Sequence, residues 1–113
     1  LDWTNSYLSV NVGDTVIVES TGTIGLDLAG KSCGPDGLAA LKDPARLLLE
    51  KPTGALIAVI GVDNNDFIHL GATGRFKAAR NGLLFLGINE GDLSNNAGAF
   101  TARVRIERAP ARK

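Results

Sequence analysis

The sequence predicts an all-β domain, a small antiparallel β-sandwich. Two observations carry this. Strand-like runs recur at intervals of roughly 8–12 residues with turn-forming residues between them, the spacing of a sandwich. Only residues 38–50 could form a helix, and Pro44 interrupts that stretch.

The elements follow in order. Residues 14–20 (DTVIVES) are rich in β-branched side chains and open after Val12-Gly13-Asp14, a turn signal. Residues 22–28 (GTIGLDL) alternate apolar with small or polar residues and predict a separate strand. Residues 38–50 are expected to form a loop with one helical turn at most. Residues 55–60 (ALIAVI) are continuously apolar, as in a strand covered on both faces. Asp63-Asn64-Asn65-Asp66 is a turn cluster, and residues 67–70 (FIHL) resume a short strand. Residues 74–79 and 82–88 predict a hairpin through Arg80-Asn81-Gly82, because Asn-Gly supplies the positive φ of a tight turn. The final strand, residues 100–107, has Phe100, Ala102, Val104 and Ile106 on one face and Thr101, Arg103, Arg105 and Glu107 on the other. Residues 1–108 are thus expected to form one domain, with 109–113 a polar tail or linker.

Composition narrows the function. The 113 residues carry twelve Lys+Arg and twelve Asp+Glu, a net charge of zero. Counterion release from a polybasic surface has no global charge behind it, so nucleic acid is not an expected partner. No apolar run approaches membrane-spanning length. Cys33 is the single cysteine, which rules out an internal disulfide and a multi-cysteine zinc site. No basic-then-apolar leader opens the chain, and it begins Leu1-Asp2-Trp3 rather than with Met, so processing, or excision from a longer chain, is expected.

Enzymatic constellations are weak. A serine hydrolase would need His69, the only histidine, which lies in a short strand without a nucleophile elbow. Cys33 reads as a small structural thiol, and Trp3 as packing near the domain start. No glycine-bearing segment has a phosphate loop's Lys-Ser/Thr ending. One segment stands apart. Asn89-Glu90-Gly91-Asp92-Leu93-Ser94-Asn95-Asn96 concentrates carboxylates and amides between two strands. Such hard oxygen donors are what Ca²⁺ requires, although the spacing is not that of an EF-hand and the same residue types also form ordinary turns.

The run Gly82-Leu-Leu-Phe-Leu-Gly-Ile-Asn89, then Gly91-Asp92, then Asn95-Asn96-Ala97-Gly98-Ala99-Phe100 resembles the calcium-dependent galactose-binding bacterial lectins of the LecA (PA-IL) type. That family has Asn-Asp at the strand end, Gly-Thr, and then Asn-Asn-Ser-Gly-Ser-Phe. Val12-Gly13-Asp14, Gly34-Pro35-Asp36-Gly37 and Gly54-Ala55-Leu56-Ile57 fall in the same order. The resemblance implies a jelly-roll-like sandwich with one Ca²⁺ at its edge, completed by two sugar hydroxyls. It implies Asn95 and Asn96 as side-chain ligands, with Asp27 at a backbone-carbonyl position. Asp92 falls where the family uses a threonine carbonyl, and Asn89 lies nearest the family's aspartate, across a gap in a shortened loop. Asp43 and Arg46 fall in the segment that touches the sugar, and Glu90 joins them as a sugar contact.

The departures leave two readings open. Either Asp92 supplies the carboxylate that the shortened loop lacks, or calcium is not bound. The histidine that helps define galactose recognition is replaced by Asp43 or a neighbour. The expected function is a non-catalytic carbohydrate-binding domain, with a secreted or cell-surface setting favoured. The alternative is an accessory or homo-oligomerising β-sandwich of a larger protein.

Overall fold

The computed structural model describes residues 3–25, 32–38, 45–61, 64–89 and 97–110. Two antiparallel four-stranded sheets make up the fold. They contain β1 (Thr4–Val10), β2 (Thr15–Gly25), β3 (Ser32–Cys33), β4 (Leu56–Ile60), β5 (Ile68–His69), β6 (Thr73–Lys77), β7 (Gly82–Ile88) and β8 (Ala97–Glu107). The first sheet runs β1-β7-β4-β5. In the second, β2 pairs with β8 along one edge and with β6 and β3 along the other. The described residues contain no helix, and no helix among them is long and apolar enough to cross a membrane.

Alternation builds the core. Val16 and Val18 of β2 meet Leu56, Ala58 and Ile60 of β4 and Leu84 of β7, all buried. From β8, Phe100, Ala102, Val104 and Ile106 pack against this cluster while remaining half-buried. The period-2 reading of that strand therefore holds. The outward residues of β4, Ile57 and Val59, are also buried, as the continuous apolar run predicts. Trp3 helps to close that face. Its ring stacks on Phe67 at 5.6 Å and lies against Gly87, the register partner of Ile57, where a Cβ would come within 2.6 Å of the indole. Trp3 is thus a packing residue.

Three expectations change. Of the expected strands 14–20 and 22–28, residues 15–20 and 22–25 form one strand rather than two: β2 continues through Gly22, at φ +111°, where a Cβ would sit 2.5 Å from the Ala99 carbonyl. Residues 26–28 of the expected second strand lie outside the described residues.

The predicted hairpin does not form, because β6 pairs with β2 and β7 pairs with β1 and β4. Residues 79–81 cross between the sheets instead. Ala78 is held to the second sheet by hydrogen bonds with Gly13 and Asp14 (2.9 and 2.8 Å), while Leu83 is held to the first by the Gly61 amide (2.9 Å). Asn81 accepts the Val12 amide at 2.7 Å. Asn-Gly permits a sharp turn, but these contacts decide what it joins.

The third change is β1, which has no alternating pattern to announce it. Its register shifts between Asn5 and Ser9, and Tyr7 sits at φ +61°. Asn5 and Ser6 side chains accept the amides of Tyr7 and Leu8 (2.8 and 3.1 Å) and so hold the bulge.

Within 38–50, Leu38 forms a bridge to Thr53 and residues 45–50 form turns. The start of the expected tail is tied down. Ala109 donates its amide to Asp14 Oδ1, and Arg108 donates to Asp14 Oδ2 and to the Ser9 carbonyl, each at 2.9 Å.

Candidate functional site

Five strand ends meet at one end of the sandwich. Gly25, the last residue of β2, pairs with Ala97, the first of β8, and with Ser32 of β3. In the other sheet Ile88, at the end of β7, pairs with Leu56 at the start of β4. A small apolar cluster plugs this end: Ile24 and Cys33 are buried against Leu38, Ile88 and Phe100. The Cys33 thiol is therefore enclosed, as a structural thiol would be.

Asn89 leaves β7 at this end and is fully buried. Its backbone amide donates to Ala55 (2.9 Å), and its carbonyl accepts from Gly54 (3.0 Å). Its side chain grips the 48–52 turn. Oδ1 accepts the Leu48 amide at 2.7 Å, and Nδ2 lies 2.9, 3.2 and 3.1 Å from the carbonyls of Leu48, Lys51 and Pro52. With two protons for three carbonyls, one bond is shared. Arg46 grips the same turn: Nε donates to the Lys51 carbonyl at 3.0 Å and a terminal nitrogen to the Leu49 carbonyl. Lys51 O thus joins the two residues.

Of the eight expected site residues, the structure describes Asn89 and Arg46, and it brings them together on one turn. Asn89 is an anchor: its amide oxygen already holds a backbone N–H, and its amide nitrogen faces only carbonyls. Asp27, Asp43, Glu90, Asp92, Asn95 and Asn96 lie outside the described residues. Among the described residues, no group of three or more His, Cys, Asp or Glu side chains could hold a metal ion.

His69 lies half-buried in β5, and its buried Nε2 has no hydrogen-bond partner among the described residues. Burial is the main cause lowering its pKa from 6.5; Lys51 adds to this and Asp36 opposes it. It is a neutral strand histidine at neutral pH.

Asp14 is the site that reading the sequence missed. The turn signal around Gly13 is legible, and so is an Asp accepting the nearby Asn11 amide (2.9 Å). No local pattern announces Arg108 and Ala109. The amides of Ala109 and Asn11 are the first causes holding the carboxyl below 3.8; Arg108 contributes and burial opposes.

These two shifts predict acid sensitivity. Folding prefers neutral His69 and ionised Asp14, so each contribution is complete above the unfolded pKa and is lost as pH falls. Melting temperature should begin to drop as pH passes below 6.5 and drop again below 3.8. His69→Gln should remove the first decline and keep the second. A variant that keeps both would show that another group titrates.

No family model and no curated protein sequence matches this chain. Among solved structures it is similar to the EclA N-terminal domain, described as a PllA-like lectin. The TM-score is 0.69 at 24% identity, over 93% of this chain and 87% of that one. At that identity the likeness shows the fold alone, a β-sandwich.

Proposed function

We propose that this chain is a non-catalytic carbohydrate-binding domain, lectin-like in action as in fold. In this reading the site is the sandwich end where segments 26–31 and 90–96 leave the sheets. The pairing of Gly25 with Ala97 carries it, because it joins the strand ends from which those two segments depart. Asp92, Asn95 and Asn96, with a backbone carbonyl at Asp27, form the proposed donor set for Ca²⁺. Their carboxylate, amide and carbonyl oxygens suit a hard cation. Asn89 serves as the buttress that fixes the exit of β7 against the 48–52 turn. Bound calcium would offer open coordination positions to vicinal hydroxyls of a sugar such as a galactoside.

The chain's own residues supply the remaining recognition. Arg46 holds the turn that follows Asp43, and Asp43 and Glu90 are proposed to hydrogen-bond ring hydroxyls. Displacing ordered water is repaid only by well-placed oxygens, so the orientation of neighbouring hydroxyls sets preference. Calorimetry with galactosides and other glycans tests this. Binding in millimolar calcium that EDTA abolishes is expected, and no heat with any sugar would overturn it.

A further inference from the structure

The outer faces of the two sheets are not alike. In the first sheet the central strands β4 and β7 contain no charged residue, and the outward residues of β4 are buried. In the second sheet every charged residue of β2, β6 and β8 lies on the outer face: Arg75, Lys77, Arg103 and Arg105 with Glu19 and Glu107, all exposed. Register sets them in rows across the strands. Lys77, Thr15 and Glu107 form one row, Arg75, Ile17 and Arg105 the next, and Thr73, Glu19 and Arg103 the third. With strands about 4.8 Å apart and about 3.4 Å per residue along them, the four cations share a field of roughly 10 by 14 Å. Four cations against two carboxylates leave this face positive, in a chain whose twelve Lys+Arg and twelve Asp+Glu cancel. The cations are open to a ligand. Arg75 and Arg105 share Glu107 at 3.7 and 3.8 Å, in ion pairs too exposed to contribute much. The side chains of Lys77 and Arg103 have no ion-pair partner among the described residues.

We propose that this sheet face is a glycan site separate from the sandwich end described above, and that it takes an acidic polysaccharide bearing uronate or sulfate groups. Charge complementarity selects an anion, because guanidinium forks match the oxygens of such groups. The pattern selects anions that are sparse. Glu19 and Glu107 stand among the cations and would repel the close-set phosphates of a nucleic acid or an anionic membrane. The same carboxylates accept hydrogen bonds from neutral hydroxyls, and Thr15 and Thr73 both donate and accept. An acidic polysaccharide presents both kinds of group, single anions separated by hydroxyls. Ile17, half-buried between Arg75 and Arg105, offers an apolar floor to the C–H face of a sugar ring. The face has no aromatic platform for a nucleic-acid base, since Phe76 and Phe100 pack against the core. The three rows lie toward the Thr15–Glu107 end of the β2–β8 pair, away from Gly25 and Ala97. Binding here therefore needs no calcium and does not rest on the proposed calcium-dependent site.

Titration of the chain with heparin and with polygalacturonate, in EDTA, tests the proposal. At least one should bind, and the tighter of the two names sulfate or uronate as the anion. Affinity should fall as salt rises from about 50 to 200 mM. Arg103→Gln/Arg105→Gln should weaken binding about tenfold or more, since hydrogen bonds to charged groups are lost. Both side chains are exposed, so the variant should fold and melt like the parent. Arg80→Gln removes an exposed charge that pairs with Asp66 outside this face, and it should leave binding unchanged. Duplex DNA and vesicles of anionic phospholipid should bind more weakly than the preferred glycan. Several results would overturn the proposal: no binding of either polyanion, no loss in the double variant, an equal loss in Arg80→Gln, tighter binding of DNA or vesicles, or binding seen only when calcium is supplied. Galactoside binding in calcium reads the other end of the sandwich, so failure at one site is distinguishable from failure at the other.

Discussion

Asn89→Asp is expected to destabilise the fold by about 3–5 kcal/mol, the cost of a buried charge without a partner. The substitution preserves shape and replaces a donor with an oxygen. That oxygen would face the carbonyls of Leu48, Lys51 and Pro52, now 2.9, 3.2 and 3.1 Å from Nδ2. Only the bond from the Leu48 amide would survive. Asn89→Ala introduces no charge but removes the partner of the Leu48 amide and of the turn carbonyls, at about 1–3 kcal/mol for each group that water does not reach. The pH dependence separates the two. Burial should raise the pKa of the new carboxyl, so Asn89→Asp should recover stability as pH falls and the protonated acid donates to one carbonyl. The parent should move in the opposite direction. Urea denaturation at two pH values reads both effects, and a loss under about 1 kcal/mol would show that the 48–52 turn does not depend on this amide.

Asp92→Ala should abolish calcium-dependent stabilisation while leaving the apo fold nearly intact. The reading gives the site few charged donors, which sets the affinity on the order of 10⁻⁴ to 10⁻³ M. Calcium at a hundredfold excess over Kd stabilises a folded protein by about 2.7 kcal/mol. For a domain of this size that is a rise of about 10 °C in melting temperature. The parent should show this rise and Asp92→Ala should not. Equal stabilisation of the two proteins would remove Asp92 from the donor set. Asn89→Asp changes the fold without calcium and Asp92→Ala should not, so the two variants separate the buttress from the proposed ligand.

Much of the architecture is legible along the chain. Strands with local patterns announce themselves: the valines of β2, the apolar run of β4 and the strict alternation of β8 each reflect which faces are buried. The turn at Val12-Gly13-Asp14 is equally local. The bulged β1 escapes because its hydrogen bonds run through Asn5 and Ser6 side chains rather than a regular ladder. The proposed site is legible as a concentration of oxygen-bearing side chains around residues 89–96, a composition that turns share, and otherwise through the family resemblance alone.

The sequence by itself therefore determined an all-β sandwich, because alternation and β-branching are properties of neighbouring residues. Only the tertiary structure decided that 73–77 and 82–88 lie in different sheets, that Asn89 faces a turn about forty residues earlier, and that Asp14 holds the far end of the chain. Each of these is a contact between groups remote in sequence. No local pattern encodes such contacts, because their free energy arises only after the sheets have packed.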